Sequence, residues 1–263
     1  MAIGVALHEL DRNRVLAPLP TAERTRLAAA LEPYESAHEL LVPAGGRIPY
    51  AYFPSDGMIS VVAALKNGRR TEVATVAREG MAGLPLFLGS ETSLYEVISQ
   101  VAGRGLRMAA ATFCLEATRN PVLRTRLLRY AELRMAMLGQ TAACNANHRI
   151  AARLARWLLI SHDSVDGDTF VLTHEFLSQM LGSERPSVTL SAGTLQKLGC
   201  ITYKRGAVQV THRGLLERAA CECYEVVRRE TERLMETDPR VGSVRFRTDS
   251  LARPNGTYPA RPS

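Results

Sequence analysis

The sequence predicts an α+β chain: an N-terminal β jelly-roll barrel, one long helix, and a C-terminal winged helix-turn-helix. Three observations carry this reading. Short runs rich in Val and Ile, punctuated by glycine turns, fill residues 38–111. A helical apolar period follows Asn120-Pro121. Residues 173–211 then read helix, glycine corner, helix and basic hairpin. The expected organisation is a β-barrel over 15–119, a dimerisation helix over 120–145, a winged helix-turn-helix over 146–237 and a disordered tail over 238–263.

The elements follow in order. Residues 21–31 predict a helix capped by Thr21, with Leu27 and Leu31 on one face. The strand-like runs are 58–65, 71–77 and 95–101. Asn67-Gly68 is a hairpin signal between the first two. Further turns are expected at Gly45-Gly46, Ser55-Asp56-Gly57, Glu79-Gly80, Leu88-Gly89 and Gly103-Arg104-Gly105. Many short strands at this spacing indicate an antiparallel barrel or jelly roll.

Pro121 opens the long helix, where its missing N–H is harmless. Leu123, Leu127, Tyr130, Leu133, Met137 and Leu138 recur along it at three- and four-residue spacing. Such a stripe packs either on the barrel or against its twin in a second copy. The expectation taken is a homodimer.

In 173–181, Phe176, Leu177, Met180 and Leu181 share a helical face, and Gly182 supplies the corner. The second helix carries Pro186 in its first turn, with Val188, Leu195 and Leu198 facing back, and Gly199 ends it in a left-handed conformation. Strands at 201–203 and 208–210 flank Lys204-Arg205-Gly206. This order suits a module that lays one helix in the DNA major groove.

Charge agrees once dissected. Of the net +7, residues 240–263 hold +4, leaving +3 for the body. Within the body, residues 104–156 hold ten arginines against Glu116 and Glu132. A cationic band beside a reading helix suits contact with phosphates. No run of eighteen or more apolar residues exists, and the N-terminus lacks secretory character, so a cytoplasmic protein is expected. Cys114, Cys144, Cys200, Cys221 and Cys223 are scattered and odd in number, which suits a reducing compartment.

The order of barrel, basic helix, His148-Arg149-Ile150-Ala151-Ala152-Arg153-Leu154 and winged helix-turn-helix resembles the Crp/Fnr family of bacterial transcription regulators. Stretch 51–87 resembles the family's cyclic-nucleotide-binding-like effector domain through its glycine corners. Stretch 176–201 aligns without gaps to its helix-turn-helix, and Ala220-Cys221-Glu222-Cys223-Tyr224 is similar to a branch lacking the cyclic-nucleotide signature. The resemblance implies double-stranded DNA as partner, RNA polymerase as a further one, and a small-molecule effector whose identity is unknown.

Departures from the family pattern bear on mechanism. Members that bind cyclic AMP use a Gly-Glu pair for the ribose hydroxyl and an Arg-Ser pair for the cyclic phosphate. The matching effector-pocket positions here are Gly80, Met81, Ala82 and Gly83, without a carboxylate, and Ser93, Leu94 and Tyr95, without a guanidinium. No Arg or Lys lies between Gly80 and Gln100. Nucleotide binding in the familiar pose is not expected. A different ligand, a protein partner or no effector remain open.

In the reading helix, Arg185 matches the family's first arginine and is the candidate for bidentate contact to guanine. Pro186 and Leu190 replace the glutamate and second arginine. Ser183, Ser187 and Thr189 offer weaker contacts. Lys204, Arg205, His148, Arg149 and Arg153 are expected at phosphates.

No cofactor or metal is expected. Residues 1–113 contain no cysteine, which excludes the family's N-terminal iron–sulfur cluster. Cys221 and Cys223 are placed two apart on a helix and read as separate core thiols. The histidines show no HxxxH pairing, and nothing favours His38 as a haem ligand. No catalytic motif appears, and His162-Asp163-Ser164 reads as a polar loop, so an enzyme is not expected. The alternative to a DNA reader is a protein-interaction module with the same fold.

Overall fold

A computed structural model describes residues 5–204 and 206–236. The expected tail over 238–263 and wing residue Arg205 lie outside the described residues. A short 3-10 turn, Leu7–Arg12, precedes α1 (Thr21–Ala28). Pro20, not Thr21, occupies the cap position, and Leu31 lies beyond the helix, although Leu27 and Leu31 are both buried.

The strands β1 (Glu32–Ser36), β2 (Leu40–Val42), β3 (Tyr50–Ala64), β4 (Arg70–Val76) and β5 (Glu96–Ala109) form one antiparallel sheet. Its order is β1-β5-β3-β4, with β2 also on β5. α2 (Leu84–Phe87) precedes β5 and α3 (Ala110–Arg119) follows it. Asn67-Gly68 does turn β3 into β4: Gly68 has φ +81°, and Arg69 N donates to Asn67 Oδ1 at 3.1 Å.

Two of the expected turns are strand interiors instead. Ser55-Asp56-Gly57 lies inside β3 and Gly103-Arg104-Gly105 inside β5. A Cβ on Gly103 would stand 2.2 Å from Asp56 O, and one on Gly105 2.4 Å from Phe53 O. These glycines let two bulged strands approach each other closely rather than reverse the chain.

The long helix α4 (Pro121–Asn147) starts at Asn120, whose Oδ1 accepts from the N–H groups of Val122 at 3.0 Å and Leu123 at 2.9 Å. Its stripe departs from the dimer expectation. Leu123, Leu127, Tyr130, Leu133 and Met137 are buried within the chain, in one core with the sheet and with Leu234 and Met235. Only Leu138 of the expected seam is exposed. Periodicity marks a face that must be covered, and here the same chain covers it.

The arginine band is also partly internal. Arg126 donates to Arg14 O and Met235 O, Arg134 to Thr75 O, and Arg153 to Leu181 O, all three side chains being buried. Carbonyls near chain turns take these guanidinium protons. Arg153 is therefore not placed for phosphate contact.

The C-terminal half comprises α5 (Ile150–Ser164), β6 (Thr169–Val171), α6 (His174–Met180), α7 (Arg185–Lys197), β7 (Ile201–Lys204), β8 (Ala207–Val210), α8 (Arg213–Ala219) and α9 (Cys223–Met235). The small sheet has the order β6-β8-β7, and α9 lies along α4. A second core joins Leu154, Leu158, Leu177, Val188, Leu195, Ile201 and Val208 to Met58, Val62 and Val101 of the large sheet. The C-terminal half is thus seated on the N-terminal sheet. No helix among the described residues is long and apolar enough to cross a membrane.

Candidate nucleic-acid interface

Local chemistry builds the α6–α7 pair. Thr173 Oγ1 accepts from Phe176 N at 3.1 Å and caps α6. Leu177, Met180 and Leu181 are buried, and Gly182 turns the chain at φ +56°. The Arg153 guanidinium on Leu181 O pins that turn from α5. Pro186 sits in the first turn of α7, while Val188, Ser191, Ala192 and Leu195 face the core. Leu198, expected to face the core, closes the helix as an exposed residue. Gly199 follows at φ +72°.

The outer face of α7 is open. Arg185 has 66% of its side chain exposed, Ser187 and Thr189 are exposed, and Leu190 is 75% exposed. Ser183 is half-buried at the turn. Thr189 Oγ1 donates back to Arg185 O at 3.0 Å and Thr194 Oγ1 to Leu190 O at 3.0 Å, so these hydroxyls brace the helix they stand on. Among the described residues, nothing lies within 4 Å of a notional Cβ on Gly193, so its smallness serves no packing contact there. Lys204 is exposed at the end of β7, and Arg149 is exposed at the start of α5.

Acidic neighbours temper the positive face. Arg185 lies 3.9 Å from Glu175, and Glu184 pairs with Arg69 of the β3–β4 hairpin at 2.9 Å. Both pairs are largely exposed and contribute little to stability. The Arg69–Glu184 pair, with Thr71 3.1 Å from a notional Cβ at Gly182, sets α7 beside the large sheet.

The expected effector positions are divided between interior and surface. Met81, Ala82 and Ser93 are buried, whereas Leu94 and Tyr95 are exposed. Ser93 Oγ donates to Tyr95 O at 2.7 Å. The Tyr130 hydroxyl donates to Met81 O at 3.0 Å, and its ring lies over Gly80. Gly83, at φ +95°, starts α2. A cavity of about 350 Å³ lies elsewhere, between Arg14, Arg78, Asp163, Arg213, Tyr224 and Arg228.

His148 makes its contacts within the chain. Its Nε2 lies 3.2 Å from Glu222 Oε1 and its Nδ1 3.5 Å from Cys223 Sγ. Cys144, Cys221 and Cys223 complete a compact cluster with it, which sequence reasoning missed. Cys221 is not helical: Ala220 is extended at ψ 158°, and α9 begins only at Cys223, so both thiols converge. The signals available were Cys144 and His148 four apart at the end of one helix, and Cys-x-Cys beside a helix start. Burial pushes the Cys144 and Cys221 thiols up, Cys221 to about 12, so both carry their protons when no cation is near.

Residues 152–219 match the Crp-like helix-turn-helix domain. No curated protein matches the sequence. Among solved structures, FixK2 from Bradyrhizobium japonicum superposes with a TM-score of 0.61 at 13% identity, covering 73% of this chain and 98% of that one. A Crp-family transcriptional regulator from Thermus thermophilus gives 0.58 at 20% identity, covering 72% and 96%. The c-di-GMP-responsive regulator CLP of Xanthomonas campestris gives 0.56 at 12% identity, covering 73% and 100%. At these identities the likeness is one of fold. The fold is that of Crp/Fnr regulators, with a Crp-like helix-turn-helix in its second half.

Proposed function

We propose that this chain, a Crp/Fnr-type fold carrying a Crp-like helix-turn-helix over residues 152–219, is a homodimeric regulator that reads an inverted-repeat operator. The observation that carries the reading is α7. It is held by its inner face and by Gly182, and it presents Arg185, Ser187 and Thr189 outward beside Lys204. Arg185 is assigned to a guanine edge, while Lys204 and Arg149 are assigned to phosphates. Arg205 is assigned to phosphate from its place in the sequence alone.

A second copy would add the contacts that one reading helix lacks, as in helix-turn-helix dimers that read two half-sites. With the Leu123–Met137 stripe covered internally, the dimer seam is assigned to the exposed side of α4. Leu128, Met135 and Leu138 are exposed there at 53%, 67% and 41%, at coiled-coil spacing. Effector specificity is altered: the Gly80–Gly83 and Ser93–Tyr95 positions lack the guanidinium that a cyclic phosphate requires, and Met81, Ala82 and Ser93 are packed inside.

The test is selection of bound sequences from a random DNA pool by the purified protein and by Arg185→Ala. The expected result is an inverted repeat with half-sites about one helical turn apart, blurred by the substitution. Absence of salt-dependent DNA binding would favour the protein-interaction reading instead.

A further inference from the structure

The end of α4 and the turn into α9 bring four potential ligands together. One ligand-type atom from each of Cys144, His148, Cys221 and Cys223 lies within 4.8 Å of all the others. Cys144 Sγ is 3.5 Å from Cys221 Sγ, and Cys223 Sγ is 3.5 Å from His148 Nδ1. A tetrahedral zinc ion with Zn–S bonds of about 2.3 Å sets S···S edges of about 3.8 Å. The observed spacing brackets that value. A [4Fe–4S] cluster puts each ligand on a separate iron and a [2Fe–2S] cluster divides its four ligands between two irons, so either spreads the set further apart than a single ion does.

We propose that Cys144, His148, Cys221 and Cys223 are the four ligands of one thiophilic divalent cation, of which zinc is the best match. Three soft sulfurs and an imidazole select against magnesium, calcium and manganese, which prefer oxygen. Four protein ligands close the coordination shell, so the site is structural or sensory rather than catalytic. All three cysteines are buried, and apart from Ala152 they form a small cluster of their own, separate from both main cores.

The surroundings fit the assignment. Glu222 Oε1, 3.2 Å from His148 Nε2, orients the ring so that Nδ1 faces the sulfurs, a common carboxylate–histidine–metal arrangement. Gln140 Nε2 donates to Cys223 Sγ at 3.0 Å. Three thiolates around a divalent ion leave one net negative charge. Arg153 and Arg156 on α5 both act electrostatically on Cys144 and offset it.

A disulfide between Cys144 and Cys221 would use one pair but would leave unexplained why Cys223 and His148 converge on the same point. The ligands come from segments 77 positions apart, one ending α4 and the other linking α8 to α9. A bound ion therefore ties the long helix to the reading half where the chain passes from one to the other. Its occupancy fixes how the end of α4 is joined to the α8–α9 link, and through that link bears on the half that carries the helix-turn-helix. This regulatory consequence rests on the DNA-reading assignment; the site itself does not.

The test uses the full chain, purified reduced, stripped with chelator and titrated anaerobically with zinc, with cobalt(II) as the optical probe. The expected result is one equivalent per chain, a tetrahedral thiolate–cobalt spectrum, and a zinc X-ray absorption shell of three sulfurs and one nitrogen. The double substitution Cys144→Ser/Cys223→Ser should abolish uptake, whereas Cys114→Ser should leave it intact. Glu222→Gln should weaken binding about 10-fold at unchanged stoichiometry.

Absence of stoichiometric uptake by the wild-type chain would overturn the site, as would a shell without sulfur. So would formation of a Cys144–Cys221 disulfide with zinc left in solution. These readouts need no DNA and no variant, so they stand apart from any failure of operator binding. Uptake with operator affinity unchanged on chelation would overturn the regulatory consequence alone.

Discussion

The indole N–H of Trp157 donates to Glu72 Oε1 across 2.8 Å, out of contact with solvent, and joins α5 of the C-terminal half to β4 of the sheet. Ser60 of β3 donates to the second carboxylate oxygen. Arg134 from α4 and Arg156 from α5 act on the group from farther away, but burial dominates and lifts Glu72 from 4.5 to about 7.

The sign of the pH effect follows. Glu72 binds its proton more tightly folded than unfolded, so its contribution is complete below about 4.5. It declines as pH rises toward 7, by on the order of 3 kcal/mol in total. Glu72→Gln keeps an acceptor for the indole and removes the charge, so it should raise the melting temperature at pH 7.5 and flatten its pH dependence. The single tryptophan makes the seam directly readable by fluorescence. An unchanged pH profile in the variant would refute the assignment.

Arg185→Ala and Lys204→Ala should differ in kind. The first is expected to lose about 1–3 kcal/mol on the selected operator and to relax preference at one base position. The second should weaken all sequences alike and lower the salt slope by about one unit. Gel-shift titrations across salt concentrations separate the two. Equal behaviour of both variants would remove Arg185 from the base edge.

The two faces of α4 should answer to different assays. Leu127→Ala empties a fully buried position and should cost about 2–5 kcal/mol of stability. Met135→Glu, at an exposed position, should leave the melting temperature of dilute protein nearly unchanged and shift sedimentation toward monomer. A stable dimer in Met135→Glu would move the seam elsewhere.

Gly80 has a packing reason to be glycine that is unrelated to any effector. A Cβ there would fall 2.0 Å from Tyr130 Cε2, so the ring must leave its place over Gly80. Gly80→Ala should destabilise the fold by about 1–3 kcal/mol. Tyr130→Leu in the same chain should recover part of that loss, and thermal melts of the two single variants and the double variant test the coupling.

The helix-turn-helix was legible because its signals are local. Thr173 caps, Gly182 and Gly199 take left-handed conformations, and Pro186 begins a helix, each within a few residues of its effect. Long-range pairing was not. The stripe on α4 announced burial without naming α9 and the sheet as its cover. Gly57, Gly103 and Gly105 looked like turns because close strand approach and chain reversal both need a missing Cβ. The cysteine–histidine cluster was hidden because its halves are distant in sequence, and because one break at Ala220 decides whether Cys221 and Cys223 diverge or converge.

The return of α9 to the first half has a consequence for how the chain matures on the ribosome. Leu234 and Met235 complete a core begun by Leu10 and Leu16, and Met235 O receives the buried guanidinium of Arg126. A nascent chain that has emerged only through α4 therefore holds an unfinished core, with apolar surface awaiting its last contributors. The N-terminal half cannot reach its final packing until synthesis has passed residue 235. Expression of residues 5–147 alone should yield an aggregation-prone fragment instead of an autonomous sheet domain.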